Sequence, residues 1–155
     1  HLKEDTIYVI HSIAYYRDIE IKHSGWNKEK VRRLYNRTKT QFNDNMVHET
    51  IMDDNMNKEA ISGHIKHYSY TSITDFIMKL DRYSTLFAQD NVGKRSSSPV
   101  RAFLNGGFSF FKTYFMKAGF LDGYAGLIIA FSHMATNFYK YMKLYEMNLE
   151  LEAKK

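Results

Sequence analysis

The apolar positions change period near residue 70. Before it they come in short, alternating runs. Thr6-Ile7-Tyr8-Val9-Ile10 is β-branched and aromatic and predicts a strand. Ile19-Glu20-Ile21 predicts a second, shorter one, and Ser24-Gly25-Trp26-Asn27 a turn. Val31 to Arg37 predicts a strand rich in cations, Thr38 to Asn45 a polar loop, and Ala60 to Tyr68 a last strand with Ile61, Gly63, Ile65 and His67 on one face. From Ser72 onward Ile73, Phe76, Ile77, Leu80, Tyr83 and Phe87 follow helical spacing. Ser72 with Asp75 three residues on resembles a capping box, and Asn91-Val92-Gly93 stops the helix. Ser98-Pro99 predicts the start of a second helix running to Ala118, with a kink at Gly106-Gly107, where each glycine costs about 1 kcal/mol relative to alanine. Asp122 is the expected N-cap of a third helix, through Met142 toward Glu150.

Strands come first and helices last. The expected fold class is therefore α+β: a short mixed sheet in residues 1–70, followed by a three-helix region in residues 71–155. A sheet of three or four strands ahead of such a tail looks incomplete, which raises the expectation of a missing N-terminal half.

Composition narrows the chemistry. The 155 residues include no cysteine, which excludes a disulfide scaffold, a thiolate zinc site and a cysteine nucleophile. A hydrophobic fraction of 44% with 25% charged residues suits a globular protein and argues against intrinsic disorder. The net charge of +5 is unevenly spread: residues 1–70 carry +1 and residues 71–155 carry +4. The more basic half also holds most of the phenylalanines, a combination that suits a membrane surface or nucleic acid. No nucleic-acid motif is present and the basic residues alternate with acids, so nucleic acid is not an expected partner. The longest apolar stretch, Phe120 to Phe131, is interrupted by Asp122, Gly123 and Gly126 and falls short of the roughly 20 residues of a spanning helix. The start, His1 to Asp5, is polar and does not read as a secretory signal, and the missing cysteines have a cytoplasmic protein as their simplest explanation.

Five clusters can carry chemistry. Val47-His48-Glu49 places a potential base and a potential metal ligand side by side, or is an exposed polar pair near a turn. His23-Ser24-Gly25-Trp26 offers an indole that can stack on a sugar or base, or that caps a small core. Arg32, Arg33 and Arg37 can fork onto phosphate, or can dress a strand edge. His64 and His67 lie three apart, so on a strand they face opposite sides and do not share an ion. Phe120 to Gly126 reads as a helix start whose glycines allow close packing. No phosphate-binding glycine loop, no HExxH and no Asp-x-Asp occurs.

In their order these motifs resemble the C-terminal half of family 2 glycosyltransferases, of GT-A fold, that build lipopolysaccharide or lipooligosaccharide core. The matching stretches are Ile21 to Trp26, Arg33 to Arg37, Phe42 to Glu49, His67 to Tyr70, Asp75-Lys79-Tyr83, Gly119 to Gly126 and Lys140 to Glu146. The resemblance implies inverting transfer of a sugar from a nucleotide-sugar donor to a lipid-linked oligosaccharide acceptor. It implies Glu49 as catalytic base, with His48 beside it as a metal or diphosphate neighbour. A divalent metal, Mg or Mn, is implied for the complete enzyme. His23, Trp26, Arg33, Arg37, Asp44, His67, Lys79 and Arg82 are implied in substrate binding. The strands of residues 1–70 become the acceptor side of the catalytic domain. The family's donor-binding half, with its Asp-x-Asp, has no counterpart here. The expectation is thus a partial transferase, inactive alone, with a separate N-terminal half and an anionic membrane surface as further partners. It would lie peripherally on the inner face of the bacterial inner membrane. The competing reading is a basic helical module that binds a membrane surface or a protein and has no catalysis of its own.

Overall fold

The computed structural model describes residues 2–26, 29–43 and 50–154. The fold is α+β. Four strands, β1 (Thr6–Tyr16), β2 (Ile19–Glu20), β3 (Glu29–Leu34) and β4 (Asn57–Tyr70), precede three helices, α1 (Ile73–Asn91), α2 (Pro99–Phe111) and α3 (Gly123–Ala153). A π-helical turn, Lys112–Met116, and a 3-10 turn, Gly119–Asp122, join α2 to α3.

β1 is the strand on which the sheet is built. It pairs antiparallel with β2 (Tyr15 opposite Glu20) and with β3 (Ser12 opposite Glu29), and it also pairs with β4. It runs six residues beyond the predicted Ile10 because Ser12, Ala14 and Tyr16 continue the buried side of the alternation. The polar His11-Ser12 concealed that continuity in the sequence. β3 ends at Leu34, so Arg37 falls in the following turn rather than on the strand.

The helix starts are set by local capping. Ser72 Oγ accepts from Asp75 N at 3.2 Å while the Asp75 carboxylate accepts from Ser72 N at 3.0 Å, a complete capping box. Ser98 Oγ accepts from Arg101 N at 3.1 Å, with Pro99 in the first turn. The expected kink at Gly106-Gly107 does not occur, and both glycines lie inside α2. Gly106 is buried, and a Cβ there would sit 3.1 Å from Met134 O and 3.2 Å from Phe138 Cβ. It serves the close approach of α2 to α3. The break comes later, through the π-helical turn and the left-handed Ala118 (φ 52°).

The chain divides into two compact units. The first comprises His1–Ile13 with Lys28–His67, the second Ala14–Asn27 with Tyr68–Lys155. In the first, Ile7, Tyr8 and Ile51 are buried, Tyr35 meets Phe42 edge-on at 5.8 Å, and Asp53 pairs with both Arg32 and Lys58. In the second, the core consists of Ala14, Tyr16, Ile21, Phe76, Ala125 and Ile129, with Trp26, Tyr70 and Ile128 packed against it. The change from strand to helix after Tyr70 does not coincide with the division into units, because residues 14–27 fold with the helices.

Candidate functional site

The most tightly built polar cluster among the described residues centres on Asp122. The sequence points to an N-cap for α3, but the carboxylate makes no capping bond. It turns instead to the segment after β2. Its Oδ1 accepts from Lys22 N at 3.0 Å, and its Oδ2 accepts from His23 N at 3.0 Å and from Ser24 Oγ at 2.8 Å. His23 Nδ1 lies 3.1 Å from Oδ1. The Asp122 side chain is only 2% exposed. A buried carboxylate demands such donors, and hydrogen bonds to a charged acceptor are worth about 1.5–3 kcal/mol each.

Backbone geometry makes this contact reachable. Ser24 (φ 59°) and Gly25 (φ 82°) are both left-handed, which curls the segment so that successive N–H groups converge on one acceptor. Ser24 N also donates to Lys117 O at 3.0 Å. On the other side the 3-10 turn lies against the first turn of α3. A Cβ on Gly126 would sit 1.8 Å from Gly119 O, and one on Gly119 would sit 2.7 Å from Thr113 O and 3.0 Å from Ser24 Oγ. Only glycine fits at either position, so the Gly119-to-Gly126 motif is the steric condition for delivering Asp122.

A carboxylate accepts and does not donate, so the proton of the His23–Asp122 bond sits on Nδ1. The half-exposed imidazole then has Nε2 as its remaining polar atom. A ring held this way can accept a hydrogen bond from a hydroxyl.

Trp26 stands two residues past Ser24, its backbone N–H donating to His23 O at 3.1 Å. Its ring stacks on Tyr70 (5.4 Å) and Phe76 (6.1 Å) and tilts against His133 (6.0 Å). It therefore caps the second unit's core and is itself partly exposed. His133 meets Thr113 Oγ1 at 3.0 Å through Nδ1, and burial, aided by Lys117, depresses its pKa to about 4. Burial also raises the Tyr70 phenol above its ordinary value. Lys79, exposed on α1, donates to Ser69 O at 2.9 Å and lies 4.2 Å from the Tyr70 ring centroid. Arg82 is exposed on the same helix.

In the first unit, Arg33 on β3 lines a cleft of about 320 Å³ together with Glu29, Arg32, Phe42, Thr50 and Ile51. Asn43 and Thr50 are joined by Asn43 N to Thr50 O (2.9 Å) and Thr50 N to Asn43 Oδ1 (3.0 Å). The segment between them holds Asp44, His48 and Glu49, which lie outside the described residues. Arg37 and His67 are exposed. The structure thus brings His23 and Trp26 together in one unit, and places Arg33 beside the two ends of the Asp44–Glu49 segment in the other.

Among the described residues no three His, Asp or Glu side chains converge as a metal-ligand set. Asp122 does not fit that role either, since its oxygens are already taken by N–H and O–H donors. The residue that sequence reasoning undervalued is Asp122 itself. Its signal was the glycine spacing around it, which exceeds what a simple cap needs.

No family model matches the chain, and no solved structure matches it.

Proposed function

We propose that this chain is the acceptor-side portion of an inverting glycosyltransferase acting on a lipopolysaccharide-core-like saccharide. The supporting observation is the junction at Asp122. Two of the stretches that carry the sequence resemblance, Ile21 to Trp26 and Gly119 to Gly126, are built as one unit around a buried carboxylate. That unit presents an oriented imidazole, His23, three residues before the partly exposed indole of Trp26. Such a pair suits a sugar, whose hydroxyls donate to Nε2 and whose C–H groups meet the exposed part of the indole. In this reading Arg33 and Arg37 meet anionic groups of the acceptor or donor, and Glu49 takes the proton from the attacking hydroxyl. The metal that the resemblance implies would belong to the whole enzyme.

Trp26 is the chain's single tryptophan, so its fluorescence reports on this site alone. Titration with deacylated core oligosaccharide is expected to give a saturable change that His23→Ala weakens about tenfold, the worth of one hydrogen bond. No saturable change, together with no saturation transfer from protein to saccharide by NMR, overturns the reading.

A further inference from the structure

The exposed face of α2 is the apolar one. Val100, Leu104, Phe108, Phe111 and Phe115 follow one another at helical spacing along the solvent side, while Ala102, Gly106 and Thr113 face inward. Phe103 is 71% exposed and Met116 63%. Across the break the same character continues on Phe120, Leu121, Tyr124 and Phe131. Ring contacts join the two stretches: Phe115 meets Phe111 (5.4 Å) and Phe110 (6.4 Å), Phe110 meets Phe131 (5.1 Å), and Tyr114 meets Phe120 (6.3 Å). Some ten large side chains, each about half exposed, amount to an apolar surface on the order of 1,000 Å². A monomer's largest patch is usually only a few hundred.

Charge indicates what covers it. Between Asn91 and Tyr145 there are seven Lys and Arg and one carboxylate, Asp122, which is buried and hydrogen-bonded. Arg101 and Lys112 share one flank of the α2 apolar stripe, Arg101 with its guanidinium on Ser96 O (2.9 Å) and 5.4 Å from the Tyr141 ring centroid, and Lys117 lies at the break with its side chain packed against Gly25. A second copy packed antiparallel on this stripe would bring these cations to the same side of the seam. A surface of phosphates would neutralise them. No single described helix is long and apolar enough to cross a membrane; Pro99–Met116 and Gly119–Ala153 are so only taken together, and they are bent by 70° at the break between them. This geometry suits lying along a bilayer.

We propose that the aromatic face formed by α2, the two turns and the start of α3 docks onto an anionic lipid bilayer. Its phenylalanines enter the interfacial layer, and Arg101, Lys112 and Lys117 meet headgroup phosphates. The inference does not depend on the transferase reading.

The test is flotation of the full chain with phosphatidylcholine vesicles and with phosphatidylcholine/phosphatidylglycerol vesicles, at low and high salt. Sedimentation velocity without lipid reports self-association in parallel. Expected is partitioning at least about tenfold stronger on the anionic vesicles, reduced by salt. Lys112→Gln with Lys117→Gln should remove most of that preference. Phe108→Ser with Phe111→Ser should abolish binding to both vesicle types while the circular dichroism spectrum stays unchanged. If that pair unfolds the chain, Phe103→Ser, farther from the core, takes its place. No binding to either vesicle, binding indifferent to the phenylalanine substitutions, or a dimer that those substitutions dissociate, overturns the proposal. Because the saccharide titration uses a soluble acceptor, failure of either experiment leaves the other interpretable.

Discussion

Asp122 and His23 stand 99 residues apart in the chain and share both a backbone and a ring hydrogen bond, with the carboxylate of one holding the imidazole of the other. Asp122→Ala leaves three backbone or hydroxyl donors without their acceptor inside the protein. A loss of about 3 kcal/mol or more in unfolding free energy is expected by urea denaturation. A loss under about 1 kcal/mol would show that water replaces the carboxylate and that the junction does not organise the site.

Two glycines should respond in opposite directions to the same added methyl group. Gly126→Ala forces a Cβ into the Gly119 carbonyl and is expected to cost more than about 3 kcal/mol, or to prevent folding. Gly107→Ala meets nothing within 4 Å in mid-helix and is expected to stabilise the protein by about 0.5–1 kcal/mol. Thermal melts of the two variants, compared with the parent, provide the check.

The buried His133 gives stability a defined acid limb. Its pKa is about 4 in the folded protein and near 6.5 unfolded, so the unfolded chain binds the proton more readily. This contribution is fully present above pH 6.5 and is lost as pH falls toward 4, amounting to about 3 kcal/mol at most. His133→Gln, which keeps a polar partner for Thr113, should flatten the urea midpoint between pH 6.5 and pH 4. An unchanged slope there would exclude His133 as its source.

Helix starts offer a milder perturbation. Ser72→Ala removes one half of the capping box on α1 and should cost about 1 kcal/mol, with Ser98→Ala on α2 similar. Far-UV circular dichroism in urea should show both variants fully helical before the transition, with its midpoint lowered.

How much the sequence disclosed follows from how local each determinant is. The starts of α1 and α2 were readable because a cap involves residues three apart. The α+β order was readable because the hydrophobic period changes once. The full length of β1 was not, because two polar residues interrupt a pattern that burial continues. The position of the helix break is not legible locally, since glycine's cost in an isolated helix leaves out Met134 O and Phe138 Cβ, whose close approach makes Gly106 an asset. Asp122 was assigned to its nearest N–H groups, whereas its partners lie near residue 23. In the same way, Trp26 as a core cap depends on Tyr70 and Phe76, which no spacing rule connects to it. Asp44, His48 and Glu49 were legible only as motif members and stand outside the described residues.

The interleaving of residues 14–27 with residues 68–155 also sets a timetable for synthesis. A ribosome releases Lys22, His23 and Ser24 between 98 and 100 residues before the carboxylate that gathers them. The second unit therefore cannot assemble from its N-terminal end as it is translated. Its early segment must wait, exposed, for Asp122, so that any stall before that residue yields a product with Ile21 and Tyr16 unsheltered and open to proteases.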